Sequence, residues 1–358
     1  MAFLKYSNVG ITGIAGAVPK NKIINKEYTD YFDKDSVAAI VEKIGIEERR
    51  FAPKGMTASD LAFAAASKLF SDLDIDKSEI DILLFVTQTP DFRMPATSVI
   101  LQSRLNLNKS TAAFDINLGC SGFVYGLSVA YAYAQMPHVR KVLLLDGETR
   151  SRVYHPKDRR TAFLFGDAGV AAIIEKNSNV GDSFFSLNSD GSKANLIKID
   201  AGGYRNPSSI DTLKEKVVDE FGNVRTDEHG YMNGADVFNF VLREIPKNIR
   251  QTLAFAEKEI QDFDYYIFHQ ANNFMNNYLA KKLGLDMSKV PTTISKYGNT
   301  SSVSIPITIV DTLKGKLFGK KELFLCGFGV GMSWATTLIT TVNTHISEIV
   351  EVELPKSM

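Results

Sequence analysis

Short apolar runs alternate with helix-forming segments along the chain, and this alternation restricts it to a layered α/β architecture. Strands are predicted at Ile82–Thr87, Ala112–Ile116, Lys141–Leu145 and Gly169–Ile174, then at Tyr265–Phe268, Glu322–Cys326 and Trp334–Thr341. Helices are predicted at Ala58–Leu73, Gly122–Gln135, Ala235–Phe255 and Asn273–Leu283. The last of these opens on asparagines suited to capping and is followed by Gly284, a C-terminal stop. Two stretches echo each other: Phe165-Gly-Asp-Ala-Gly-Val-Ala-Ala-Ile-Ile and Phe328-Gly-Val-Gly-Met-Ser-Trp-Ala-Thr-Thr-Leu-Ile. Each is a glycine-rich turn feeding an apolar strand, which points to a duplicated unit. The boundary is placed within Lys176–Asp182, giving halves 1–178 and 179–358. The polar stretch Asn188–Tyr231 reads as a long surface excursion.

Composition excludes several classes. Lysine plus arginine and aspartate plus glutamate both number 41, so no global field draws nucleic acid or an anionic membrane. Two cysteines in 358 residues, Cys120 and Cys326, make neither a disulfide scaffold nor a zinc site, and no metal is called. No apolar run is long enough to span a bilayer, and the first twenty residues lack the pattern of a secretory leader. The expectation is a cytoplasmic enzyme.

Three residues carry candidate chemistry. Cys120 stands in DINLGCSGF, between a predicted strand and a predicted helix. A thiol at a helix N-terminus faces unpaired N–H groups and the positive end of the macrodipole, which favours the nucleophilic thiolate. A buried, inert cysteine is the competing reading. His269 follows the strand Tyr265–Phe268, at the end of the sheet where ligand sites form, and can donate to an oxyanion or move a proton. A structural turn histidine would look the same. Asn299, in SKYGNTSSVSIP, offers an amide donor or a plain turn. The run Gly327-Phe-Gly-Val-Gly331 supplies backbone donors for an oxyanion hole or makes a tight hairpin. It lacks the strand-to-helix setting of a dinucleotide fingerprint.

Together these segments resemble the β-ketoacyl-[acyl-carrier-protein] synthase III family of thiolase-like condensing enzymes. GCSGF, FGDAG at 165–169, FHQAN around His269 and YGNTSS around Asn299 carry the resemblance, in that order. It implies a thiolase-like fold of two αβ halves in five α-β-α-β-α layers, working as a homodimer. It further implies that Cys120 takes an acyl group from an acyl-coenzyme A, the thioester being a substrate and no cofactor being needed. Malonyl-acyl carrier protein would then lose CO2 and attack that thioester. On this reading His269 and Asn299 stabilise the enolate, and the backbone N–H groups of Cys120 and Val330 hold the tetrahedral oxyanion. Arg152, Met94, Gly234, Phe238 and Met332 fall at substrate-binding positions. Met94 would close the partner's acyl pocket, although ordinary packing explains both methionines equally well.

The sequence departs from the family at three places. Ala39 stands where a tryptophan stacks on adenine, and the single tryptophan is Trp334. Ala235 replaces an asparagine, and Phe274 replaces an arginine tied to carrier docking. The pattern therefore looks like a specialised branch. Two further readings stay open: an acyltransferase forming an ester or amide, and a catalytically silent partner subunit.

Overall fold

In the computed structural model, which describes residues 2–354, β7 (Lys141–Thr149) shows why the chain is layered. Val142 and Leu144 face one side of its sheet, Leu143 and Leu145 the other, and all four are buried. A strand without a polar face needs cover on both sides. Its sheet runs β17 (His345–Ile346), β2 (Val9–Pro19), β8 (Asp167–Lys176), β7, β5 (Ile80–Val86), β6 (Ala112–Ile116), with β18 (Val350–Val352) also paired to β2. The second sheet runs β1 (Ala2–Ser7), β9 (Asp182–Ser189), β16 (Ser333–Val342), β15 (Lys320–Gly329), β14 (Tyr265–Phe268). A separate ribbon pairs β3 (Lys22–Ile24) with β4 (Glu48–Arg50).

The two sheets repeat one pairing pattern. β5 is parallel to β7, then β8 and β2 follow antiparallel; β14 is parallel to β15, then β16 and β9 follow antiparallel. The chain crosses from one sheet to the other between Lys176 and Asp182. Its ends cross back: β1 pairs with β9, while β17 and β18 pair with β2.

Helices α4 (Gly122–Ala134) and α8 (Ser304–Leu313) fill the space between the sheets. Phe123, Leu127, Ile305 and Ile309 share one cluster there with Leu84 and Leu144 of one sheet and Leu323 and Leu325 of the other. Helices α2 (Ala58–Leu73) and α3 (Thr97–Arg104) cover one outer face; α5 (Gly234–Ala256) and α6 (Asn273–Lys282) cover the other. The result is the expected five-layered, thiolase-like α/β sandwich. Local signals set the helix ends. Thr57 and Asp60 form a capping box on α2, and the Asn272 side chain accepts the Met275 N–H at 2.8 Å to open α6. α1 (Lys34–Ile44), which contains the exposed Ala39, and the single turn α7 (Ile294–Tyr297) lie outside this stack.

Some expectations change. β7 does not stop at Leu145 but runs through the buried Asp146 and Glu148 to Thr149. The excursion between Asn188 and Tyr231 is not bare loop: it holds the ribbons β10 (Ile197–Ile199) with β13 (Gly230–Met232) and β11 (Lys216–Val217) with β12 (Val224–Arg225). It also lays His229 edge-on against the buried His155 at 4.7 Å.

Phe123 is fully buried between the sheets, so Phe123→Ala leaves a cavity that neither sheet can close. The expected loss is about 3–5 kcal/mol. Denaturant unfolding of the two proteins measures it, and a cost near zero would contradict this packing.

Candidate active site

Cys120 sits one residue before the cap of α4, at the end of the short loop leaving β6. The turn is tight because its glycines have no room for a side chain. A Cβ on Gly119 would lie 2.5 Å from both Gln88 Oε1 and Val330 Cγ1, and one on Gly122 would lie 2.7 Å from Val86 Cγ1. Across the cleft, a Cβ on Gly329 would lie 2.7 Å from Cys120 Sγ. The glycines of the 327–331 run thus leave the sulfur its space, and that run is also the turn of the β15–β16 hairpin. The hairpin reading of that run is the one the strand pairing bears out.

His269 continues β14 by donating its N–H to Cys326 O at 2.8 Å. Its Nδ1 lies 2.7 Å from Ser304 Oγ at the start of α8, and the same oxygen accepts the Gln270 N–H at 3.2 Å. One lone pair of that oxygen is taken by the Gln270 N–H and its hydroxyl hydrogen is available to Nδ1; the tautomer matching such a bond carries the ring's proton on Nε2. Phe328 meets the ring edge-on at 5.5 Å. Asn299 is held by backbone on two sides: its N–H donates to Leu164 O at 2.8 Å, and its carbonyl accepts the Gly166 N–H at 3.2 Å. Its Oδ1 takes the Ser301 N–H at 2.9 Å. That bond orients the amide so that Nδ2 is the free donor.

Cys120, His269, Asn299 and Val330 line one cleft of about 630 Å³. Burial pushes the Cys120 thiol up. The His269 imidazole, the Arg150 guanidinium and the Val330 N–H outweigh it, and the thiol settles at about 7. Cys326 faces the outer helical layer instead, and burial drives it to about 12. Among the described residues, the Cys120 N–H has no protein partner.

The other sequence candidates scatter. Gly234 lines the cleft at the head of α5. Phe238 stands outside its lining and packs at 5.5 Å on Phe274, which is 62% exposed. Met332 is fully buried in the outer cluster beside Trp334. Met94 is 76% exposed on the loop before α3. Arg152 faces away and donates to Pro53 O at 2.6 Å. The sequence reading missed Arg150 and Tyr154, which both line the cleft. A signal was present, since Asp146, Glu148 and Arg150 extend the β7 alternation in polar form. FGDAG has a structural use: Asp167 accepts the Ala52 N–H at 2.7 Å and the Ser151 N–H at 2.8 Å, tying three segments together.

Among the described residues no cluster of three potential metal ligands occurs, and no helix is long and apolar enough to cross a membrane.

A thiol at about 7 predicts the pH profile of alkylation. Labelling of Cys120 by iodoacetamide should rise with pH and reach half its maximum near 7, where an ordinary thiol would do so near 9. Cys326 should stay unlabelled in the folded protein. Gly329→Ala, which presses a methyl against the sulfur, should slow Cys120 labelling at least tenfold while circular dichroism stays unchanged. Equal labelling would show that the sulfur has room to spare.

Comparison with known proteins shows the family. Residues 114–191 match the model of 3-oxoacyl-[acyl-carrier-protein] synthase III, and residues 253–341 match its C-terminal model. A β-ketoacyl-[acyl-carrier-protein] synthase III of Streptococcus pneumoniae is 34% identical over 343 residues, 95% of this chain and 100% of that one. The crystal structure of a 3-oxoacyl-(acyl-carrier protein) synthase from Burkholderia xenovorans superposes with a TM-score of 0.91 at 36% identity, covering 98% of this chain and 99% of that one. The Thermus thermophilus β-ketoacyl synthase III structure gives 0.77 at 30% identity, over 92% and 98%. The chain belongs to the 3-oxoacyl-[acyl-carrier-protein] synthase III family.

Proposed function

We propose that the protein is a decarboxylating condensing enzyme in which Cys120, His269 and Asn299 are the catalytic residues. The observation that carries this is the meeting, in one cleft, of a lowered thiol and two side-chain donors fixed by separate elements. Cys120 attacks the carbonyl of an acyl thioester, acyl-coenzyme A being the donor; the new S–C bond forms and the donor's thiol leaves. The malonyl group of malonyl-acyl carrier protein then loses CO2. The electron pair of the broken C–C bond passes to an enolate whose oxygen accepts from His269 Nε2 and Asn299 Nδ2. That carbanion attacks the acyl-Cys120 carbonyl. The N–H groups of Cys120 and Val330 receive the oxyanion, and collapse returns the Cys120 thiolate with release of a β-ketoacyl product.

Supporting the choice over ester or amide formation is the retention of both the imidazole and the amide. Supporting it over a silent subunit is the poised thiol. We further propose halves at 1–178 and 179–358, a cytoplasmic setting, and a homodimer in which the exposed Phe92, Met94 and Val99 meet a second copy. Gly234 touches substrate on this reading, while the placements of Arg152, Phe238 and Met332 leave them supporting roles.

The test is stepwise. Intact mass should show an acyl adduct on Cys120 after incubation with acyl-coenzyme A, lost in Cys120→Ala. Added malonyl-acyl carrier protein should discharge it with release of CO2. His269→Ala and Asn299→Ala should keep a measurable adduct yet lose about 10²–10³-fold in condensation. Condensation at normal rates in both variants would overturn the assignment, and an adduct that carrier protein never discharges would favour transfer without a carbon–carbon bond.

A further inference from the structure

Arg150, the residue after β7, places a guanidinium in the wall of the same cleft. It is 6% exposed. Its one side-chain hydrogen bond runs from Nη2 to Tyr154 Oη at 3.1 Å, and its Nε is buried without a partner. Glu148, two residues earlier, acts on it through charge but makes no hydrogen bond to it; its oxygens accept from the Gln88 N–H and the Thr89 hydroxyl. The guanidinium is cradled by the rings of Tyr154 and Phe165, at 5.5 and 5.8 Å, which stack on each other at 4.0 Å. Apolar side chains including Leu164, Ile197 and Met232 line the same cleft.

A pocket meant for a plain alkyl chain gains nothing from a buried fork of N–H donors, whose desolvation is costly unless something accepts from it. The donors left over match an oxygen on the ligand, and a carboxylate matches them best in charge and shape. We propose that Arg150 is the specificity determinant of the acyl pocket, and that the acyl group loaded onto Cys120 carries an acceptor oxygen on its chain. The inference rests on the acyl transfer proposed above and names its substrate class. The bond changes at Cys120 are the same for every donor; Arg150 decides which donor is held.

Three coenzyme A thioesters of equal carbon count separate the possibilities: succinyl, 3-hydroxybutyryl and butyryl. The rate of Cys120 acylation, read by intact mass, should be at least about tenfold higher with one of the oxygenated donors than with butyryl. Arg150→Met should erase that ratio, and Arg150→Lys should keep part of it for succinyl alone. Butyryl reacting as fast as both oxygenated donors in the wild-type protein overturns the proposal, whatever the variants do. So does an Arg150→Met protein slowed equally with all three, since that would make Arg150 a partner of the thiolate only. A second readout needs no acyl donor: the ratio of Cys120 alkylation by iodoacetate to that by iodoacetamide should fall about tenfold in Arg150→Met. An unchanged ratio sinks this inference and leaves the condensing reaction standing, whereas no adduct from any thioester sinks the condensing reaction itself.

Discussion

Everything at the site depends on two helices sharing one buried layer. α4 and α8 come from opposite halves of the chain, yet they pack together between the sheets, and their N-termini meet at the cleft. Cys120 precedes the first, and Ser304 opens the second. A close-packed interior transmits such placement without slack. The sulfur, the imidazole that Ser304 orients and the amide of Asn299 are therefore positioned by the core rather than by mobile loops. Glycine stands at two of the close approaches. A Cβ on Gly16 would lie 2.6 Å from Ile307 Cδ1 of α8, and Gly329 leaves the space the sulfur occupies.

The electrostatics result from that burial. A thiol this deep would resist ionising, as Cys326 does in the outer layer. Cys120 differs because a ring, a guanidinium and a peptide N–H converge on it. Two buried thiols thus end far apart, one near 7 and the other near 12. Surroundings decide between them. Neighbouring carboxyls go the other way. Asp146, bonded to Ser302 at 2.6 Å, has one oxygen without a partner, and burial raises it far above the usual carboxylate range.

How much of this could be read from the residues alone depended on periodicity. Helix α2 and strands β6 and β14 were legible to the residue, because uniform apolar or period-3.6 patterns end at clear breakers. Strand β2 was not, since Gly10, Gly13 and Gly16 weaken its strand signal; Gly13 and Gly16 are there because α2 and α8 press on its two faces. The three chemical residues were visible through the order of their motifs, while single positions were ambiguous: each had a bland reading as good as the functional one. The pocket wall was harder. Its lining is assembled from the turn after β7, the ribbon β10–β13 and α5, segments whose contact depends on tertiary packing that no local pattern encodes.

At Arg150 a polar alternation emerges from an otherwise apolar strand. Along β7 the inward positions read Val142, Leu144, Asp146, Glu148, and Arg150 comes next. The first two build core; the others form a buried seam whose charges must balance locally. In the free protein Glu148 and the Cys120 thiolate both offset Arg150, and the thiolate and the guanidinium favour each other's charged form. Forming a thioester removes that negative charge while the guanidinium stays buried beside the new acyl chain. Glu148 still offsets part of the guanidinium's charge, but a hydrocarbon chain would give its free N–H groups no acceptor in the cleft, and the acylated state would bear that cost. An oxygen-bearing chain supplies the missing acceptor at the moment the sulfur stops being one. The charge balance of the seam and the choice of acyl group are then one constraint.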